Sequence, residues 1–228
     1  DKHTKIWEGE KLSLELASKL SGVKDVRFVK DLKNVIYSIA SRVNTFYINK
    51  NEHYRANSPV ETREDRFTKW LLEEYPNRKV ARSNPILQRL RSIKHYDEIK
   101  QIKRACDITR KGFERILKFI KPNIWEYQIE AEFIHEFINN SSKGFAYSPI
   151  IASGENNNIL HYVKNNKMCK KGDLILMDVG AEYGNYSSDM TRTVPVSGRF
   201  SKRQRQVYDS VLKVKNEATK LIKTGNNW

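Results

Sequence analysis

A single β-hairpin constrains this chain more than any other feature of the sequence. Residues 174–181 and 186–196 are rich in apolar and β-branched side chains, and they flank the short polar sequence EYGN at residues 182–185. Two such runs on either side of a short turn with glycine and asparagine predict a pair of antiparallel strands. The register of the pair then decides which side chains share a face of the sheet.

Two aspartates, Asp178 and Asp189, lie in the predicted strands, one in each. Asp178 follows the apolar residues 174–177, where an uncompensated buried carboxylate would be costly. If residues 183–184 form the turn, Asp178 lies directly opposite Asp189. If residues 184–185 form it, the two aspartates are one diagonal step apart. Without a bulge, both registers place the two carboxylates on the same face.

Two carboxylates that face one another repel, so such a pair indicates either a shared proton or a bound cation. Carboxylate oxygens suit hard or borderline divalent ions such as Mn²⁺ or Mg²⁺, and one carboxylate can bridge two of them. An ordinary acidic hairpin, with Asp189 solvated near its tip, is the alternative without a function. Asp178 and Asp189 are therefore candidate metal ligands.

Three amphipathic helices are predicted around the hairpin, from apolar residues that recur at helical spacing. They extend over residues 99–120, 123–144 and 201–222. The second and third begin with residues at capping-box spacing, which are Asn123 with Glu126 and Ser201 with Gln204. Sheet-forming residues begin after the second helix, at Phe145.

Residues 1–84 mix helical patterns with short β-branched segments and predict a separate domain. These patterns occur over residues 12–20, 35–39, 43–48 and 67–74. The sequence RSNP at residues 82–85 is polar and ends in a proline, which disfavours a helix in the residue before it. We therefore predict two domains, residues 1–84 and residues 85–228.

Composition narrows the setting and the partners. No apolar run approaches the roughly 18 residues that cross a bilayer, so we predict a soluble protein with no membrane partner. The formal net charge of +15 raises the question of nucleic acid. Lysine and arginine are spread along the chain and interleaved with acids, so we predict no nucleic-acid partner.

Cys106 and Cys169 are too few for a disulfide framework. Cys106 occupies a helical position that we expect to be buried, and reduced thiols favour a cytoplasmic location.

The wider sequence around the hairpin resembles aminopeptidase P, a member of the M24 metallopeptidases. The similar segments are PIIASGENN at 149–157, LHY at 160–162, KGDLILMDVG at 171–180 and SDMTRTVPVSG at 188–198. The resemblance covers roughly residues 86–222 and includes the kind, order and spacing of the residues. It implies an α+β chain in which residues 85–228 form the N-terminal half of a pita-bread catalytic domain. Residues 1–84 would then be the C-terminal part of a creatinase-like α/β domain.

The resemblance also implies an activity, the release of an N-terminal residue from peptides with proline in second position. In the family, the aspartate matched by Asp178 binds one of two metal ions and the aspartate matched by Asp189 bridges both; we expect Mn²⁺. The family histidine matched by His161 is not a ligand but contacts the substrate during bond cleavage. Thr191 and Arg192 follow the second aspartate, and we expect them to orient it.

Three further family ligands, one histidine and two glutamates, lie downstream of the third helix in the family and are not in this sequence. We therefore expect the chain to be a fragment of a longer enzyme, inactive alone and homo-oligomeric at full length. A proline-containing peptide is the expected partner. Two other functions stay open: an Xaa-Pro dipeptidase (prolidase), which shares the metal motif, and a non-catalytic pita-bread domain that binds peptides or proteins.

Overall fold

Helices and strands occur together along the chain, as the sequence predicts. The structure, a computed structural model, describes residues 2–50, 52 and 60–227. The chain divides into two compact units, Asp1–Ile93 and Lys94–Trp228. The predicted division between residues 84 and 85 lies inside the first unit, and the creatinase-like origin of residues 1–84 stays a prediction.

The first unit combines short helices with one pair of strands. Its elements are α1 (Lys2–Glu8), α2 (Leu14–Ser21), α3 (Leu32–Ala40), β1 (Thr45–Ile48), α4 (Arg63–Glu74), β2 (Lys79–Arg82) and α5 (Asn84–Ser92). Strands β1 and β2 are parallel, which requires a crossover connection, and α4 lies in that connection. Pro85 occupies the first turn of α5, where its missing N–H has no partner to lose. The RSNP sequence therefore ends a strand and begins a helix.

The second unit contains the predicted hairpin and the three predicted helices. Its elements are α6 (Tyr96–Phe119), α7 (Glu126–Asn139), β3 (Gly144–Phe145), β4 (Ile150–Ser153), β5 (Leu174–Val179), β6 (Ala181–Tyr183), β7 (Tyr186–Ser187), β8 (Met190–Pro195) and α8 (Lys202–Leu221). The strands form two antiparallel three-stranded sheets, ordered β4-β5-β8 and β3-β6-β7. The predicted hairpin thus runs from β5 through β6 and β7 to β8, and it takes part in both sheets.

The core of the second unit lies between one sheet face and the helices α6 and α7. On β5, Ile175, Met177 and Val179 are fully buried. They lie on the same face of the sheet because alternate residues of a strand point to the same side. The same cluster includes, from the helices and β4, Ile108, Phe113, Ile116, Ile129, Phe133, Phe137 and Ile151. The alternation leaves Leu174, Leu176 and Asp178 on the opposite face, where they are only half-buried. Asp178 is therefore not a core residue.

The predicted capping box at the start of α7 is wrong, whereas that of α8 is confirmed. Asn123 lies outside α7 with φ 71°, and the helix begins after Trp125, whose backbone N–H donates to the Gln128 side chain at 2.8 Å. Glu126 is instead fully buried among polar partners. At α8, the side chain of Ser201 caps the helix as predicted.

The two cysteines differ in exposure, and both are free thiols. Cys106 is exposed on α6, so the expectation that it is buried is wrong. Its neighbours Ala105, Ile108 and Thr109 take the buried face of that helix instead. Cys169 is fully buried, and burial raises the pKa of its thiol to about 11.

Helix α8 has an amphipathic sequence, yet none of its residues is buried. Val207, Val211, Leu212 and Leu221 are all exposed large apolar side chains. Neither α8 nor any other helix within the described ranges is long and apolar enough to cross a membrane.

Candidate functional site

The hairpin places Asp178 and Asp189 one diagonal step apart. Asp178 is paired with Thr191, and the same register continues through β6 and β7 to a turn at residues 184–185. Both turn residues have positive φ, 60° and 66°, as the tightest antiparallel turns require. The structure thus adopts the second of the two predicted registers. Asp178 is half-buried and Asp189 is exposed.

A tyrosine, Tyr147, brings the two carboxylates together. Its hydroxyl oxygen lies 2.6 Å from Oδ1 of Asp178 and 3.0 Å from Oδ1 of Asp189. A phenol carries one proton, so it can donate to only one carboxylate at a time. Burial and the hydrogen bond to Asp178 raise the pKa of Tyr147 well above its usual value, which keeps the hydroxyl neutral. The two negative charges therefore lie close together with a neutral group between them.

Tyr147 reaches the aspartates because the chain bulges between β3 and β4. The four residues 146–149 lie opposite only Val179 and Gly180 of the hairpin. The backbone N–H of Ala146 donates to the carbonyl oxygen of Gly180 at 2.8 Å, which anchors the start of the bulge. A Cβ at Gly180 would lie 3.1 Å from the Tyr147 ring. Bulges commonly re-aim one side chain beside a functional site, and here that side chain is Tyr147.

Gly180 also lets the two hairpin strands approach closely where the chain passes from one sheet to the other. A Cβ at this position would lie 1.8 Å from the carbonyl oxygen of Ser188, so a larger residue does not fit. Beside it, the hydroxyls of Ser188 and Thr109 are 2.6 Å apart, and both accept from the N–H of Ala181. These buried bonds fix the backbone immediately before Asp189.

His161 lies in a turn, and its side chain is exposed. It lines a surface cavity of about 770 Å³ together with Trp125, Asn156, Ile159, Tyr162, Val163, Lys164, Asn166, Lys167 and Met168. The next residue, Tyr162, is buried against Ile150, Ala152 and Leu176, on the sheet face that also carries Asp178. No hydrogen bond or ion pair joins His161 to either aspartate in the part of the chain that the structure describes.

Thr191 and Arg192 lie next to the site without a direct bond to its carboxylates. Thr191 faces Asp178 across the strand pair, and Arg192 donates to the backbone carbonyl of Thr191 at 2.8 Å. Both side chains are exposed. Their role in orienting Asp189 stays a prediction.

The donors at this site are carboxylate oxygens, the ligand type that hard divalent ions prefer. Within the described residues, no group of three or more His, Cys, Asp or Glu side chains is arranged to hold a metal ion. Asp178 and Asp189 thus fit part of a metal site, with hard donors that repel one another unless a cation lies between them.

Sequence reasoning missed Tyr147. Its position just before Ser148 and Pro149, at the start of the strand signals, marks an irregular segment, because proline cannot donate to a ladder. That signal indicates a break in the strand, but it does not say which side chain the break redirects.

Residues 100–228 match metallopeptidase family M24, so the chain belongs to that family. It is similar to the Xaa-Pro aminopeptidase of Haemophilus influenzae, at 31% identity over 97% of this chain and 49% of that protein. Aminopeptidase PepP of Pseudomonas aeruginosa has the same fold, with a TM-score of 0.88 at 28% identity over 100% of this chain and 52% of that one. A zinc-substituted Escherichia coli aminopeptidase P in complex with product gives 0.83 at 30% identity, over 93% and 49%.

These similarities confirm the α+β class and the pita-bread fold. The chain spans about half the length of the curated relatives that it matches.

Proposed function

We propose that this chain carries two of the metal ligands of an aminopeptidase that releases the N-terminal residue from peptides with proline in second position. One observation carries the proposal: Asp178 and Asp189 converge on the hydroxyl of Tyr147. Membership of a metallopeptidase family and the similarity to named Xaa-Pro aminopeptidases support the substrate class.

The two carboxylates take the ligand roles in this proposal. Asp178, anchored in the middle of the sheet on β5, would hold one ion. Asp189, exposed immediately before β8, would be a ligand shared by both ions. The bulge that positions Tyr147 and the close approach at Gly180 keep both carboxylates near the same point.

A pair of divalent ions, when bound, supplies a hydroxide at neutral pH and polarises a peptide carbonyl. We propose Mn²⁺, because the donors are hard oxygens. His161 donates a hydrogen bond to the substrate carbonyl oxygen as negative charge develops there. Its exposed ring at the rim of a 770 Å³ cavity leaves room for a peptide beside it. Thr191 and Arg192, the residues that follow in β8, help to orient Asp189.

The test is hydrolysis by the complete gene product. With Mn²⁺, it should cleave an Xaa-Pro-Yaa peptide between Xaa and Pro and leave an Xaa-Ala-Yaa peptide largely intact. Asp178→Asn should abolish turnover, whereas Asp209→Asn, at an exposed partner of Arg205 on α8, should not change it. The 228-residue chain alone should show no turnover, because two carboxylates cannot balance the charge of two ions. A complete product that is inert towards proline peptides at every metal tested contradicts the proposal.

The same assay separates the alternatives. A product that cleaves Xaa-Pro dipeptides but not longer peptides is a prolidase. A product that binds proline peptides without cleaving them is a binding module.

We also propose that the full-length enzyme associates with itself and acts in the cytoplasm, where Cys106 and Cys169 stay reduced.

A further inference from the structure

Glu126, the first residue of α7, is a fully buried carboxylate that the proposed mechanism does not use. No cationic side chain forms an ion pair with it in the described part of the chain. A buried charge without a counter-charge is costly unless hydrogen bonds satisfy it. The donors that surround Glu126 therefore indicate why it is there.

The two oxygens of Glu126 bind opposite ends of one segment. Oε1 accepts from the backbone N–H and the hydroxyl of Ser153, both at 2.7 Å, and from the side-chain amide of Asn156 at 3.3 Å. Oε2 accepts from the hydroxyl of Tyr162 at 2.7 Å and from the backbone N–H of Lys167 at 2.9 Å. One carboxylate thus joins the start and the end of residues 154–167, which we call the histidine loop.

His161 lies inside this loop, and no hydrogen bond or ion pair of its own fixes its ring in the structure as described. Its position depends on the backbone around it, and Tyr162 is the adjacent residue. Asn157 and Asn165 tie the loop to β5 and β4, but each binds near one end only. Among these anchors, Glu126 is the one that connects both ends.

We propose that Glu126 is a positioning residue that closes the histidine loop and so presents His161 on the side of the sheet that carries Asp178. The proposal rests on the role proposed above for His161. It adds that a residue on α7, outside the metal site, sets the geometry of that histidine. Hydrogen bonds to a charged acceptor are among the strongest in proteins, which suits a clamp on a loop.

Glutamine at this position cannot reproduce the arrangement. Each oxygen faces a backbone N–H, from Ser153 on one side and from Lys167 on the other, and neither can reverse to become an acceptor. An amide nitrogen would meet one of these donors in either orientation. Glu126→Gln therefore removes the side-chain bond at one end of the loop, although the side chain keeps its size and the backbone N–H of residue 126 still donates to the carbonyl oxygen of Lys167.

The test uses the 228-residue chain and amide hydrogen exchange. Glu126→Gln and Tyr162→Phe should each raise exchange within residues 159–167 about tenfold or more, while α6 stays protected. The matched controls are Glu132→Gln, on the same helix and paired with Arg115, and Tyr186→Phe, whose hydroxyl binds Glu98. Both controls should leave exchange in the loop unchanged. Equal effects from variants and controls would overturn the proposal.

A spectroscopic signature separates positioning from general stability. The imidazole signal of His161 should shift and broaden in Tyr162→Phe, while those of His95 and His135 in the same spectrum stay in place. An unmoved His161 signal in a folded variant would overturn the proposal.

If the variants do not fold, scalar couplings across hydrogen bonds in the unaltered chain test whether Glu126 binds both ends of the loop. The amide nitrogens of Ser153 and Lys167 should both couple to the side-chain carboxyl carbon of Glu126, and absence of both couplings refutes the clamp.

The proposed function fails in a different way. A complete enzyme that keeps full activity after His161→Ala removes the catalytic role of His161, whatever the loop does. If His161→Ala abolishes activity and Tyr162→Phe lowers kcat at unchanged KM, both proposals hold. If His161→Ala is inactive while Tyr162→Phe folds and stays fully active, the proposed function stands and the role of Glu126 in positioning the loop is excluded.

Discussion

At the scale of single residues, the site places two negative charges around one neutral hydroxyl. Tyr147 can satisfy one carboxylate with its proton, and the second carboxylate then faces a lone pair. Without a cation, Asp178 and Asp189 repel one another. Keeping both carboxylates lowers the free energy of unfolding of the metal-free chain, and that loss can be measured.

Asp178→Asn should stabilise the metal-free chain. It removes one of two like charges, worth about 0.5 kcal/mol or about 1–2 °C in Tm, and an asparagine oxygen can still accept from Tyr147. Millimolar Mn²⁺ should raise the Tm of the unaltered chain and leave that of the variant unchanged. Calorimetry with EDTA or Mn²⁺ measures both effects, with Asp209→Asn as the control. A variant that melts below the unaltered chain in EDTA would show that the pair does not repel.

Cys169 should make stability depend on pH above the neutral range. Burial raises its pKa to about 11 from the ordinary thiol value of 9.0, so the unfolded chain loses this proton before the folded chain does. The stabilising contribution is complete below pH 9 and is lost as the pH rises towards 11. Cys169→Ala should therefore flatten the decline in unfolding free energy between pH 9 and 11, measured with urea. Cys106→Ala, at an exposed thiol, should keep the original slope.

At the scale of elements, the break in the hairpin at Gly180 positions the site. The strands pass from one sheet to the other there, and the bulge at residues 146–149 delivers Tyr147 over the same point. Both features need the absence of a side chain at Gly180, because a Cβ there would overlap the Ser188 carbonyl oxygen and crowd the Tyr147 ring.

Gly180→Ala should therefore cost about 3 kcal/mol or more, because its Cβ would overlap the Ser188 carbonyl oxygen. Gly198→Ala is the matched control: its φ of +75° strains an alanine by about 1 kcal/mol, with no atom in the way. Chemical denaturation measures both. Equal losses for the two variants would mean that the close approach is unimportant.

Much of this arrangement follows from the sequence, and the rest depends on long-range pairing. The hairpin and the helices α6, α7 and α8 follow from periodicity, because each is encoded in neighbouring residues. The strand register depends on which two residues form the turn, and the sequence is compatible with two turns and therefore two registers. Tyr147 could not be found, because the length of a bulge is set by two strand pairings at once. The prediction that Cys106 is buried is wrong because a small rotation of a helix moves a flanking residue out of the core.

At the scale of the whole molecule, the apolar face of α8 and the net charge act in opposite directions. Val207, Val211 and Leu212 are exposed on a helix without a buried residue, which favours association. The formal charge of +15 opposes it at low salt.

Self-association should therefore increase with protein and salt concentration, as screening removes the repulsion. Val211→Lys should shift the sedimentation profile towards monomer at every salt concentration, whereas Ser210→Lys on the same helix should do so only at low salt. A chain that stays monomeric at high protein and salt concentrations contradicts this expectation.

The most direct test of the metal site uses Mn²⁺ as a paramagnetic probe of the 228-residue chain by NMR. Even weak binding broadens nearby amide signals selectively. We expect the signals around Tyr147, Asp178 and Asp189 to disappear first, to return with EDTA, and to persist in Asp178→Asn. Uniform broadening, or broadening centred elsewhere on the surface, would contradict the assignment of these two aspartates as metal ligands.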